Sequence, residues 1–321
     1  MEILNGFEPS SIEKAVELLR RGDIVALPTE TVYGLGADTL NPYGVAKIFE
    51  IKKRPRFDPL IVHIGEKDWI FKFAKNIPPE TTKLIDKFWP GPLTIILNKK
   101  DVIPDIVTAG LPTVGMRMPS HPVALNLIRA LRNPIAAPSA NPFGYMSPTK
   151  ATHVAKMFEN KLSLILDGGS STFGIESTII SIKENKIYIR RHGAVSIEEL
   201  SEIAEVIHEE KKDGQCEVPS ELPYHYAPHK QLRIVSSPGE VKIANSSLLT
   251  LKKPEKIPIS KYVKYLSQRG DMREAAANFF SYLIELDRED VDIIYAEKIP
   301  EVGLGKAMME RLKKAAKNVG I

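Results

Sequence analysis

A single cysteine, Cys216, is all the thiol in this 321-residue chain. That excludes an intrachain disulfide framework and any multi-cysteine zinc site. No apolar run approaches the roughly 18 residues of a membrane helix. The acidic start Met1-Glu2 lacks the basic region of a secretory signal. An excess of one charge is missing too: 44 cations stand against 40 anions, a net charge of +4, which is too even to mark a nucleic-acid-binding surface. Aromatic residues make up only 7% and are scattered, without the interleaving of rings and basic residues that stacks single-stranded bases. Repeats and low-complexity tracts are absent. What remains is an ordinary soluble composition, 43% hydrophobic and 26% charged. The length suits two domains, and the expected location is the cytoplasm.

Periodicity supplies the elements. Ile12, Ala15, Val16 and Leu19 recur at helical spacing behind a possible Ser10 or Ser11 cap. Gly22 ends that helix, and an apolar strand from Ile24 runs into the polar, glycine-bearing turn Pro28-Thr29-Glu30-Thr31-Val32-Tyr33-Gly34-Leu35-Gly36. Val45, Ile48, Phe49 and Lys52 share one helical face, so a second helix delivers Lys52 and Arg54 at its C-terminus, where Pro55 stops it. Strands are expected over 60–64, 93–97, 114–118 and 135–137, with a helix over 122–131. Residues 177–182 and 187–191 alternate across Lys183-Glu184-Asn185-Lys186, the pattern of a hairpin. Crossover helices mixed with hairpins imply a mixed, twisted sheet rather than a purely parallel one.

From Glu209 to Gln231 periodicity stops and charged residues and prolines take over. About 20 residues is long for a structureless loop inside one domain, so the segment either connects domains or has a function. Beyond it, strands over 232–235, 248–251 and 291–296 alternate with helices over 273–286 and 304–316. The expected organisation is an α/β domain over 1–208, a linker or lid over 209–230, and a smaller Rossmann-like α/β domain over 231–321. Gly303-Leu304-Gly305 before the last helix looks like part of a phosphate-binding turn but lacks the third glycine.

Single motifs here are weak. A Lys-x-Arg pair is usually the solvated end of a helix, two glycines usually mean only a turn, and hydroxyl residues in loops are mostly turn formers. Their weight comes from order. Residues 28–38 (PTETVYGLGAD), 51–55 (IKKRP), 58–64 (DPLIVHI), 88–94 (FWPGPLT), 113–122 (TVGMRMPSHP), 137–141 (APSAN), 147–149 (SPT), 176–180 (ESTII) and 190–195 (RRHGAV) follow one another. In that order the chain resembles the YrdC/YwlC family of L-threonylcarbamoyladenylate synthases, over roughly residues 8–206. His225-Tyr226-Ala227-Pro228 with the α/β tail resembles the family's long, two-domain form.

The resemblance implies an ATP-dependent nucleotidyltransferase of tRNA processing with an open concave site. It would join L-threonine, bicarbonate or CO2, and ATP into threonylcarbamoyl-AMP with release of pyrophosphate. The product would pass to the transferase that makes threonylcarbamoyladenosine in tRNA, with at most weak RNA contact and no membrane partner. The resemblance puts Lys52 and Arg54 in catalysis. It puts Thr31, His63, Arg117, Ala137 and Ser177 on threonine, and Arg54, Asp58, Thr113, Ser139, Asn141, Ser147, Arg191 and Tyr226 on ATP. Asp58 stands where the family usually has asparagine. Arg190 and His192 stand for a usual leucine and proline, and the linker lacks the family's Pro-Gly-Met run. Mg2+ is expected with the ATP, without a dedicated set of protein ligands. Such chemistry needs no protein nucleophile, only positioning and cations on phosphate oxygens. Two other readings compete: a concave module gripping double-stranded RNA by shape, and a carbamoyl-transfer domain related to hydrogenase maturation.

Overall fold

The computed structural model describes residues 1–159, 161–208, 218–219, 225–256 and 258–317. Cys216 and most of the expected linker lie outside them.

Twelve described strands form the main sheet. Along its path the strands begin with Glu2–Asn5, Leu164–Asp167, Val25–Leu27, Gly34–Asp38 and Ile135–Ala136. Ile61–His63, Thr113–Arg117 and Leu93–Lys99 follow, then Thr178–Lys183, Lys186–Arg191 and Val206–His208. Ala74–Lys75 pairs with Leu93–Lys99 off the path. The sheet is mixed, as expected: Ile61–His63 runs parallel to Thr113–Arg117, which runs antiparallel to Leu93–Lys99. The hairpin falls where alternation placed it, with Ser181 opposite Tyr188. One apolar core lies on each side of the sheet. Ile48, Phe49, Leu60, Val62 and Ile95 belong to one, and Leu19, Val25, Leu127 and Leu164 to the other.

Gly34–Asp38 corrects the sequence expectation. The turn is confined to Pro28–Tyr33, and the chain re-enters the sheet at Gly34, antiparallel to Val25–Leu27. Glycine is a poor strand former, yet a Cβ on Gly36 would lie 2.8 Å from both Ile135 Cγ2 and Leu27 Cδ2. Packing here selects the residue that propensity disfavours.

Four parallel strands build the second sheet, in the order Gln231–Val235, Ile293–Glu297, Ser246–Thr250, Tyr262–Tyr265. The helices Met272–Leu286 and Leu304–Ala316 supply its main core through Phe279, Phe280, Leu283, Met308 and Leu312. That core also takes in Val32, Met146, Ile175 and Tyr226, so the two units share buried apolar surface.

Candidate active site

The site forms where strand ends and two loops meet. Helix Pro42–Lys52 begins at Asn41, whose side chain accepts from the Tyr43 and Gly44 amides, and ends at Lys53 in the left-handed region (φ 53°). That ending turns Lys52 inward, where it is 2% exposed. Its Nζ donates to the carbonyl of Ser139 at 2.6 Å and to that of Asn141, leaving one of three ammonium donors for a ligand. Asn141 Nδ2 closes the same loop by donating to the Pro142 and Tyr145 carbonyls. Burial, reinforced by Arg54, pushes the Lys52 amine well below the usual lysine range.

Arg54 sits in the turn after the helix. Its Nη2 meets Asp58 Oδ1 at 2.8 Å and the Pro59 carbonyl at 2.9 Å, and Nε donates to the Asp58 carbonyl. Phe143 lies against it, 6.0 Å from guanidinium carbon to ring centroid, and His225 meets Phe143 edge-on. Across the pocket, Arg117 ends its strand. It donates from Nη1 to Thr31 Oγ1 (3.0 Å) and from Nε to the Gly91 carbonyl, with Nη2 2.6 Å from Glu30 Oε1. Thr29 shapes that turn: its hydroxyl donates to the Val32 carbonyl and accepts from the Thr31 and Val32 amides. Arg191 grips Ser177 from the neighbouring strand, donating to its carbonyl and, at 3.2 Å, to its hydroxyl.

Most of these side chains line one cavity. Of the residues named from sequence, Thr31, Lys52, Arg54, His63 and Arg117 line it, as do Ala137, Ser139, Asn141, Ser177 and Arg191. Four do not. Asp58 lies under Arg54, fully buried. Thr113 lines an adjoining cavity that shares Ile61 and Pro219 with the first. Ser147 is buried and donates to Glu176 Oε1 at 2.6 Å. Tyr226, with φ 64°, packs on Phe280 (centroids 5.5 Å apart), and its neighbour His225 lines the cavity instead.

Three residues that sequence reasoning passed over matter here. Glu30 is the partner of Arg117. Thr94 shares a 2.8 Å hydrogen bond with the Ser177 hydroxyl. Glu176 lines the cavity beside Ser177. All three stand inside quoted motifs, so their place was visible but their partners were not. Among the described residues no group of His, Cys, Asp and Glu could hold a metal ion, and Glu30, Asp58 and Glu176 are each committed to an arginine.

Two buried groups make stability fall on acidification. Burial, then Arg117, lowers His63 from 6.5 to about 3. Burial would raise Glu176, but Arg311 and Arg191 outweigh it and hold the carboxyl at about 2 against an ordinary 4.5. In both cases the unfolded chain binds the proton more readily. The contributions are therefore complete above the unfolded values and lost as pH falls through the folded ones. Urea melts should weaken first below about pH 6.5 from His63 and further below about pH 4.5 from Glu176. A midpoint that stayed constant from pH 7 to pH 4 would contradict the His63 assignment, and one that fell no further from pH 4 to pH 2 would contradict that of Glu176.

Gly193 faces the backbone of the Glu176-Ser177 turn: a Cβ there would lie 2.3 Å from the Ser177 carbonyl carbon and 2.4 Å from the Glu176 oxygen. Gly193→Ala must therefore displace the segment that carries Ser177. It is expected to cost about 1–3 kcal/mol of stability, the range for overpacking, together with activity. A variant with unchanged melting and turnover would show that the turn yields freely.

The fold and site define an α/β protein with a cation-lined, hydroxyl-bearing pocket suited to an anionic small ligand. A family model described as "Telomere recombination", covering the Sua5, YciO and YrdC proteins, matches residues 17–193. A second, "Threonylcarbamoyl-AMP synthase, C-terminal domain", matches residues 195–317. The threonylcarbamoyl-AMP synthase of Pyrococcus abyssi is 42% identical, with 96% of this chain and 95% of that protein covered. The Bacillus subtilis synthase is 40% identical over 95% and 92%. A crystal structure of P. abyssi Sua5 complexed with L-threonine superposes with a TM-score of 0.90 at 38% identity, covering 99% of this chain and 98% of the other. The chain belongs to the threonylcarbamoyl-AMP synthase family. The resemblance read from the ordered motifs is borne out, including its two-domain form.

Proposed function

We propose that the pocket joins L-threonine, bicarbonate or CO2, and ATP into threonylcarbamoyl-AMP and pyrophosphate, as the activated intermediate for threonylcarbamoyladenosine in tRNA. The observation that carries the reading is the convergence of four buried cations, Lys52, Arg54, Arg117 and Arg191, on one cavity that also holds the hydroxyls of Thr31 and Ser177. The threonine amine takes up the one-carbon unit as a carbamate, and a carbamate oxygen attacks the α-phosphorus while pyrophosphate leaves. No step needs a protein nucleophile. The barrier falls through in-line positioning and through cations on the phosphate oxygens.

In this reading Arg117 takes the threonine carboxylate in a forked contact, and Thr31, Ser177 and the Ala137 carbonyl meet its hydroxyl and amine. His63 is neutral at working pH, so it serves threonine as a hydrogen-bonding wall rather than as a charge. Lys52 and Arg54 face the phosphates. Ser139, Asn141 and Arg191 hold the nucleotide, with Asp58 fixing Arg54 from beneath. Thr113, in the adjoining cavity, serves the same nucleotide, Ser147 supports it through Glu176, and Tyr226 backs His225 at its rim. Because the pocket carboxylates are already paired with arginines, they do not suit Mg2+. A magnesium ion would arrive on the triphosphate oxygens. The labile product then passes to the tRNA-modifying transferase.

Substrate choice tests the amino-acid half. Threonine should exceed serine modestly, since one methyl in an apolar pocket is worth about 1–3 kcal/mol. Valine should be rejected about 10⁴-fold or more, because a site built around a hydroxyl leaves its polar groups unpaired without one. Pyrophosphate release driven by valine as well as by threonine would show that Thr31 and Ser177 do not surround the amino acid.

A further inference from the structure

Arg311 is the bulkiest fully buried side chain among the described residues, 1% exposed on the helix Leu304–Ala316 of the C-terminal unit. It does not serve the core of its own unit. Nε donates to Glu176 Oε2 at 2.7 Å, Nη1 donates to the Ala307 carbonyl one turn back, and the guanidinium lies 5.4 Å from the centre of the Tyr226 ring. Glu176 belongs to the cavity wall. Its second oxygen accepts from Ser147 at 2.6 Å. The next residue, Ser177, is held by Thr94 and Arg191.

Docking alone does not call for this arginine. The units already share apolar surface around Tyr226, Phe280 and Ile175, and further contacts lie toward the rim: Tyr145 Oη donates to Asp287 at 2.7 Å, and Lys150 pairs with Glu285 at 3.7 Å. Replacing a buried ion pair by packed apolar residues is often neutral or stabilising. What this pair holds in place is Glu176.

We propose that Arg311 is a positioning residue of the active site, through which the C-terminal domain holds Glu176 and so sets Ser147 on the nucleotide side and Ser177 on the threonine side. This rests on the roles assigned to those two serines above. The C-terminal domain is then a working wall of the pocket and not an appendage to it.

The test uses the full chain and reads kcat, KM for threonine, KM for ATP and the melting temperature. Arg311→Met should lower kcat/KM for threonine about 10²-fold, the scale of an ångström-sized misplacement. Arg311→Lys should recover only part, since it keeps the charge but not the planar fork. Arg311→Met also leaves Glu176 buried without its ion-pair partner and lowers the melting temperature. The double variant Arg311→Met/Glu176→Gln removes that charge, so it should regain stability while remaining kinetically defective. Lys150→Ala, at the same domain interface, should leave all kinetic constants unchanged. If the double variant, or a folded Arg311→Met, shows wild-type kinetic constants, Arg311 is only a structural residue and the proposal fails. It fails equally if Lys150→Ala loses as much activity as Arg311→Met, since the effect then belongs to docking. A wild-type protein that forms no threonylcarbamoyl-AMP would instead overturn the assigned function.

Discussion

Arg54→Ala is expected to slow pyrophosphate release about 10²–10³-fold, the scale for removing one preorganised donor from developing charge. Arg54 lines the cavity with Lys52 and Ser139, the side to which the proposed reaction assigns the phosphates. The structure adds a complication. Arg54 is also the buried partner of Asp58, and breaking a buried pair from one side costs about 3–5 kcal/mol. Loss of rate and loss of stability would therefore arrive together in the single variant. Arg54→Ala/Asp58→Asn separates them. The asparagine removes the carboxylate that Arg54 no longer pairs, so melting should recover toward wild type while the rate stays low. Recovery of both would make Arg54 a structural residue.

Arg117→Lys should raise the KM for threonine at least about 30-fold, taking 2 kcal/mol as the low end for truncating one partner of a buried charge pair, while the KM for ATP changes little. The guanidinium is held by three neighbours, the Gly91 carbonyl, Thr31 Oγ1 and Glu30, and is 3% exposed. Lysine keeps the charge but cannot hold Thr31, Glu30 and a carboxylate together, because its donors radiate from one nitrogen. Equal increases in both KM values would show that Arg117 supports the pocket as a whole rather than the amino acid.

The parts of the site legible in the sequence are those whose partners lie close in the chain or whose elements have clean periodicity. Val45, Ile48, Phe49 and Lys52 share a helical face, so the arrival of Lys52 and Arg54 at a helix end could be read directly, and the helix Pro42–Lys52 bears it out. The strands bearing His63 and Arg117 were visible as apolar runs and are aligned as parallel neighbours, His63 opposite Arg117. The strand Gly34–Asp38 was not legible, because its glycines answer to close packing that no local pattern displays. Nor was the exchange between His225 and Tyr226. The left-handed backbone at Tyr226 turns its ring into the shared core and leaves His225 at the cavity. Arg311 was the least accessible. It stands 135 residues from Glu176 in the sequence, and as the eighth residue of an amphipathic helix it reads as an ordinary surface cation. Only the docking of the two units makes it a buried partner.

The most direct measurement of the central claim is product formation by the purified full-length protein. With ATP, Mg2+, bicarbonate and L-threonine, pyrophosphate and threonylcarbamoyl-AMP should appear in equal amounts, and omitting either threonine or bicarbonate should abolish both. Threonine-independent pyrophosphate release, or release without any carbamoylated adenylate, would contradict the account.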